Sequence, residues 1–360
     1  MDKEMDNQFK ARPIDEAAAR RAQEKWDAIA KPLNSLGKLE KLIVQIAGLA
    51  HTAQVDLSQR SVLVLCADNG VVSEGVTQSG AEVTALVAES IAAGNGNICA
   101  MARAAGARVI AVDVGMLTES AHGAILVRKA ARGTENIAQG PAMTRAQARA
   151  AIDVGIELCR ERVQAGDKLL ITGEMGIGNT TTSSAMAHVL LNRPIVEMTG
   201  RGAGLDDAGL LRKISAIERA ISVNRPDPTD ALDVLSKLGG YDIAAMAGVF
   251  LGGALLGVPV LIDGFISGVA ALTAYRLCPE SRRAMIATHV SREPASRLVL
   301  DALGLAPIIH AEMALGEGTG AITLVPLLDL ALSVYRQAGT FESIHVAPYA
   351  HFEEEPPCAF

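Results

Sequence analysis

Lys168-Leu-Leu-Ile-Thr-Gly-Glu-Met-Gly-Ile-Gly-Asn-Thr-Thr-Thr182 is the stretch whose reading decides the fold. Lys168 to Thr172 is a short apolar run, a glycine-rich turn follows, and small or apolar residues then continue at helical length from Thr180 to Leu191. Strand, glycine turn and helix in this order make a cradle in which N–H groups at a helix start meet an anion. Two familiar motifs fail here on single residues. From Gly173 the spacing is that of a P-loop, but Asn179 stands where a lysine must reach β- and γ-phosphates. For a dinucleotide fingerprint, Thr181 stands where the third glycine is needed. What survives is a metal-free site of backbone N–H groups and threonine hydroxyls suited to a monophosphate, with a plain helix cap as the competing reading.

Outward from this stretch the alternation recurs. Strands are predicted at Ser61 to Cys66, Arg108 to Val114, Lys168 to Thr172, Pro259 to Ile262 and Ala284 to His289. Helices are predicted at Glu82 to Ala93, Thr144 to Val163, Asp206 to Ile221, Asp242 to Leu256, Gly264 to Leu277 and Pro294 to Leu303. Strands separated by helices imply an α/β fold with a mainly parallel sheet covered on both faces. Ligands in such folds sit at the carboxyl ends of strands, where Asp68-Asn69-Gly70, Gly173-Glu174, Asp263-Gly264 and His289-Val-Ser291 fall. Ile243 to Ile262 is uncharged over the length of a membrane span. Gly252-Gly253 and Pro259 interrupt it, so it reads as a buried helix turning into a buried strand.

Before and after this core the pattern changes. Ile14 to Ala30 and Lys38 to Ala50 read as helices joined by a loop, and Leu324 to Ala338 as a third. The expected division is a helical cap over 1–50, an α/β catalytic domain over 51–323, and 324–360 supplying a helix to the cap and a frayed tail. With 49% hydrophobic residues the chain buries a large core, while 3% aromatics and a net charge of -7 exclude the stacking platform and basic stripe of a nucleic-acid binder. The five cysteines are scattered without a C-x-x-C pair, which argues against zinc and disulfides. Met1 to Lys10 is charged and lacks the apolar centre of a secretion signal. A cytoplasmic, small-molecule enzyme without metal or cofactor is expected, with no nucleic-acid or membrane partner.

Two glutamates carry the chemistry. Glu174 follows Gly173, and Glu317 lies in Leu315-Gly-Glu-Gly-Thr-Gly320. Glycine neighbours let a ligand approach the backbone, so both acids are candidates for presentation to a substrate. The bland reading of each is an ordinary loop acid.

Ala67-Asp-Asn-Gly-Val71, Glu74-Gly-Val76, Glu82-Val-Thr84, Gly140-Pro-Ala-Met143, Gly173 to Thr181, Asp230 to Gly240, Ile262-Asp-Gly-Phe265 and Leu315 to Gly320 resemble, in order, the motifs of the nicotinate-nucleotide:dimethylbenzimidazole phosphoribosyltransferases. The likeness runs from about Leu33 to Leu330. It implies a Rossmann-like three-layer fold with a small helical domain, working as a homodimer. The implied reaction transfers ribose 5-phosphate from nicotinate mononucleotide to 5,6-dimethylbenzimidazole or a related aromatic base, giving nicotinate and an α-ribotide for cobamide nucleotide-loop assembly. A non-catalytic base- or ribotide-binding subunit of a heteromeric phenol-activating relative is the alternative, and retention of both Glu174 and Glu317 argues against it.

The resemblance also assigns residues. Glu317 matches the general base and Glu174 a supporting acid. Gly176, Gly178, Asn179, Thr180, Gly202, Gly204, Lys213, Asp263 and Ser291 match positions that bind phosphate or ribotide. Ser79, Val87, Met175 and Leu315 match positions around the acceptor base. Read from residues alone, Asp206-Asp207 with Arg212-Lys213 is a capped, solvated helix face. Asn69 departs from the family's usual histidine, and Leu33-Asn34 from its Pro-Gly.

Overall fold

The computed structural model describes residues 9–351, residue 121 excepted. Six strands, β1 (Arg60–Ala67), β2 (Arg108–Gly115), β3 (Leu126–Val127), β4 (Leu169–Met175), β5 (Val260–Ile262) and β6 (Met285–Ala287), form one sheet. Their order is β3-β2-β1-β4-β5-β6, and every neighbouring pair is parallel. β1 sits at the reversal of strand order, between β2 and β4. A doubly wound sheet opens a crevice at that point, beyond the carboxyl ends of the two strands.

Alternation along β1 sorts its side chains into two cores. Leu63 and Leu65 pack with buried residues of helices Arg145–Gln164, Asn179–Leu191, Tyr241–Leu256 and Phe265–Leu277. Val62, Val64 and Cys66 face Glu82–Ala92, Asn97–Ala104 and three helices from the ends of the chain. The result is three layers, helix on sheet on helix. Small residues let the first layer sit close: a Cβ on Gly155 would lie 1.9 Å from the Ala245 carbonyl oxygen, and one on Gly248 2.0 Å from that of Ile152. Helices Arg145–Gln164 and Tyr241–Leu256 therefore cross backbone against backbone.

The end helices Glu16–Ala28, Lys38–Ala50 and Val325–Gln337 pack together, with Trp26 and Tyr335 rings 5.0 Å apart and an antiparallel bridge from Ile29 to Thr340. Their buried residues belong to the same apolar cluster as Val62 and Val64 of β1. His351 contacts Asp27 at 2.8 Å. The rest of the expected tail lies outside the described residues. The uncharged stretch is the buried helix Tyr241–Leu256, which turns at Gly257 (φ +73°) and enters β5. Among the described residues one helical run, Thr319–Gln337, has the length and hydropathy of a span, but 56% of its apolar window is buried in the protein and Asp329 in it pairs with Arg60.

Two predicted boundaries move. The run Ala284 to His289 divides, with Met285–Ala287 in the main sheet and His289–Val290 pairing with Ile309–His310 in a separate two-stranded sheet. Thr288 makes the break: its hydroxyl donates to the Ile262 carbonyl at 2.6 Å, and its own carbonyl accepts from Ile308 and Ile309. β4 extends past Thr172 through Met175, so Glu174 stands near the end of a strand rather than on a loop. Helices Asn97–Ala104 and Ala231–Leu238 and the two-residue β3 had no counterpart in the sequence reading.

Candidate active site

The crevice at the carboxyl ends of β4, β5 and β6 holds a cavity of about 220 Å³. Glu174, Met175, Gly176, Asn179 and Thr180 line it from the end of β4 and the helix that follows. Asp263, Ser291, Leu315 and Glu317 close the other side, and Val87 enters from helix Glu82–Ala92. A second cavity of about 80 Å³ shares Gly176, Asn179, Thr180 and Gly202 with the first and adds Ser79, Gly178 and Arg201. Ser79 thus stands in the smaller chamber, apart from Val87, Met175 and Leu315. Gly204 and Lys213 line neither chamber; the Gly204 carbonyl accepts from the Gln78 amide.

Glu317 is held in an unusual backbone. Gly316, Glu317 and Gly318 have φ of +89°, +61° and +90°, a run that glycine adopts freely and glutamate does not. Three contacts impose it. The Glu317 N–H donates to the Glu174 carbonyl at 3.3 Å, Gly318 N–H to Asp263 Oδ2 at 3.2 Å, and Ala321 N–H to Asp263 Oδ1 at 2.8 Å. Both carboxylate oxygens of Asp263 are thus committed to the Glu317 loop. The Glu317 carboxylate is buried, and its two oxygens accept from the Ile98 N–H (3.1 Å) and the Asn97 side-chain amide (3.3 Å).

Glu174 is buried beside it. Its carboxylate and that of Asp242 share the Asn179 amide, which donates to both. Asn179 therefore spends its side-chain N–H groups on two acids, and its backbone N–H donates to the Gly176 carbonyl at 3.0 Å. Burial pushes the Glu174 carboxyl up to about 8; the Asn179 donor opposes this, and the charges of Asp242, Asp263 and Glu317 add to it. Burial likewise raises Asp242 to about 6, against the Asn179 and Ile243 donors. Across the crevice, burial raises Asp263 and lowers His289, each partly offset by the charge of the other.

The raised Glu174 has a consequence for stability. Unfolded, the group ionises near 4.5, whereas folded it keeps its proton to about 8, so its contribution is present below 4.5 and lost as pH rises through 8. Glu174→Gln removes the penalty while keeping an oxygen for Asn179. The variant is expected to be more stable than wild type by up to about 5 kcal/mol at pH 9, the equivalent of a shift from 4.5 to about 8, and to lose most of that advantage by pH 5. Paired urea unfolding curves at the two pH values check this; equal differences at both would refute it.

Lys213 overturns its solvated-face reading. It is fully buried, its ammonium donating to Thr180 Oγ1 (2.8 Å) and the Gly200 carbonyl (3.1 Å), and burial lowers it to about 8 against the pull of Glu293. Asp206 does cap its helix, accepting from Gly209 N–H at 2.7 Å. Gly202, at φ +54°, leaves space where a Cβ would lie 2.8 Å from Thr180 Oγ1, and its N–H donates to Glu293. A cation lies directly behind a glycine loop and a threonine hydroxyl. Asn69 is buried under Gly176 and Gly178 and forms no cavity wall.

Sequence reasoning missed Asn97, Ile98, Asp242 and Glu293 as members of this site. The only local signal for the first pair was Gly94-Asn-Gly-Asn97, a turn cluster that opens a short helix.

A family model described as phosphoribosyltransferase matches residues 11–346. The nicotinate-nucleotide–dimethylbenzimidazole phosphoribosyltransferase of Acetivibrio thermocellus is 46% identical over 327 residues, covering 91% of this chain and 93% of that protein. That of Desulforudis audaxviator is 45% identical over 336 residues, covering 93% and 95%. The crystal structure of CobT from Thermus thermophilus superposes with a TM-score of 0.87 at 38% identity, over 92% of this chain and 99% of that one.

Proposed function

Since the chain belongs to the nicotinate-nucleotide–dimethylbenzimidazole phosphoribosyltransferase family, we propose that Glu317 is the general base of its reaction and that Glu174 supports it. The enzyme transfers ribose 5-phosphate from nicotinate mononucleotide to 5,6-dimethylbenzimidazole or a related aromatic base. In the donor, the ring nitrogen bonded to ribose C1′ is already cationic. As that bond breaks its electron pair returns to the nitrogen, so the leaving group needs no general acid. One nitrogen of the acceptor forms the new bond to C1′ from the opposite face, giving the α-ribotide. The other nitrogen bears a proton that must leave, and a carboxylate beside it takes that proton.

The buried Glu317 carboxylate, fixed by the Ile98 and Asn97 donors at the cavity wall, is the observation that carries this reading. Val87, Met175 and Leu315 supply apolar surface for an aromatic ring in the same cavity. Glu174, which burial keeps protonated near neutrality, adds no second negative charge beside the base. The phosphate is assigned to the glycine turn at Gly176 and Gly178, with Thr180, Gly202 and Ser291, and with Lys213 acting from behind Thr180. Asp263 is assigned to the Glu317 loop, not to phosphate, because both its oxygens are engaged there.

We further propose a cytoplasmic homodimer in which 1–50 and the helix after 324 form the cap. The family resemblance supports the dimer, and the free, buried Cys66, Cys99, Cys159 and Cys278 fit a reducing compartment. The test is nicotinate release from nicotinate mononucleotide by the purified chain. Release that depends on dimethylbenzimidazole is expected; release without acceptor would point to a glycohydrolase, and none with any acceptor to the non-catalytic reading.

A further inference from the structure

Helix Asn97–Ala104 begins without a capping side chain of its own: Gly96 occupies the cap position. Its first N–H groups need partners from elsewhere. Glu317 provides one across more than 200 residues of sequence, its Oε2 accepting from Ile98 N–H, while its Oε1 accepts from the Asn97 side chain. The two donors differ in kind. Ile98 N–H is backbone, fixed by a side chain that is fully buried, whereas the second donor exists only because residue 97 is asparagine.

A glutamate has three side-chain torsions, and one hydrogen bond to one oxygen leaves the carboxylate free to rotate about it. The second donor removes that freedom. We propose that Asn97 is a positioning residue for the transfer reaction: its amide fixes the plane of the Glu317 carboxylate so that a remaining lone pair meets the acceptor N–H. It touches no reacting atom and acts through Glu317, so the inference rests on the assignment of Glu317 as base.

Other groups face Glu317 and set the background against which Asn97 acts. Glu174 approaches from β4, Asp263 from the loop after β5, and Cys99 from the same short helix, with Asp242 and His289 behind the two acids and Arg103 further along the helix. None of these is changed by a substitution at 97. An exposed residue at a helix start is also an inexpensive place to mutate, since the helix keeps Ile98 and its buried contacts.

The experiment compares wild type, Asn97→Ala, Asn97→Ser and Glu317→Gln as full chains, measuring kcat and KM for both substrates across pH. Asn97→Ala is expected to lower kcat about 10-fold with KM for nicotinate mononucleotide within about twofold. The acid limb of its kcat profile should move up by about half a pH unit or more, because a donor to the ionised base has been lost. Asn97→Ser, which restores a short donor, should recover part of both changes. A merely structural role would lower thermal stability and leave that limb in place. Unchanged kcat and acid limb in Asn97→Ala, beside an inactive Glu317→Gln, overturn this inference alone; a fully active Glu317→Gln overturns the base assignment and this inference with it.

Discussion

Glu317→Gln is expected to lower kcat for the dimethylbenzimidazole reaction by about a hundred- to ten-thousand-fold, the range that a positioned general base contributes. Glutamine is the informative replacement because it leaves the strained backbone as it is. With φ at +61° between two glycines that are also left-handed, residue 317 costs the fold about 1–2 kcal/mol with any side chain. Gln inherits that cost, its amide oxygen can still accept from Ile98 N–H, and Asn97 can turn its own amide to accept from the new NH₂. What is lost is the ability to take a proton. KM for nicotinate mononucleotide should therefore hold while kcat falls, the signature of an interaction needed only in the transition state. Steady-state kinetics with a circular dichroism check on folding would decide it; turnover within fivefold of wild type would mean that another group removes the proton, with Glu174, relieved of the Glu317 charge that helps to keep it protonated, the nearest candidate.

Gly173→Ala should disable the enzyme without touching any group that meets substrate. Gly173 lies within β4, opposite Val64 of β1. A methyl group there would stand 2.4 Å from the Glu317 carbonyl oxygen, 2.6 Å from its carbonyl carbon and 2.8 Å from the Gly318 nitrogen. All three are backbone atoms, so no flexible side-chain end can swing aside. To reach ordinary contact the loop must retreat by roughly 1 Å, and a displacement of that size at a catalytic group costs about a hundredfold in rate. Overpacking adds about 1–3 kcal/mol of destabilisation. Since glycine in a strand interior is itself unfavourable, the close approach of the Glu317 loop is the physical reason for its presence. Activity and urea midpoint measured together test this: near-normal kcat would show that the loop is held less tightly than its hydrogen bonds to Asp263 and Glu174 imply.

Much of this was readable from the chain. The strands β1, β2, β4 and β5 announce themselves because they are central and parallel, buried along most of their length, and so spelled as mainly apolar runs. Edge elements are spelled differently. Leu126–Val127 has two residues and one neighbour, and nothing in so short a run distinguishes it from a loop. Thr288, a residue favoured in strands, instead breaks one, since its hydroxyl finds a carbonyl on β5 that no local pattern announces. The site follows the same division. Glycine-framed acids and the helix start after Gly178 are local signals, and they led to Glu174, Glu317 and Thr180. The Asn97–Glu317 and Asn179–Asp242 contacts join residues 220 and 63 positions apart, so they exist only once the layers are assembled. Lys213 was legible in kind but not in burial, because the Gly200 to Gly202 loop that covers it is itself placed by tertiary contacts.

The strand order carries a consequence for how the enzyme comes into being. Synthesis runs from the N-terminus, and domains generally fold as they emerge. Here β1 leaves the ribosome early, but its neighbour β4 follows about a hundred residues later, and β5 and β6 later still. The loop bearing Glu317 is among the last parts to appear, together with the helix Val325–Gln337 whose Tyr335 meets Trp26. A chain that ends before this loop has the glycine turn at Gly176 and Gly178 but lacks both Leu315 and Glu317, so the cavity has neither its full apolar wall nor the buried carboxylate. The wall of the cavity and the carboxylate proposed to take the proton are thus completed together, by one late segment.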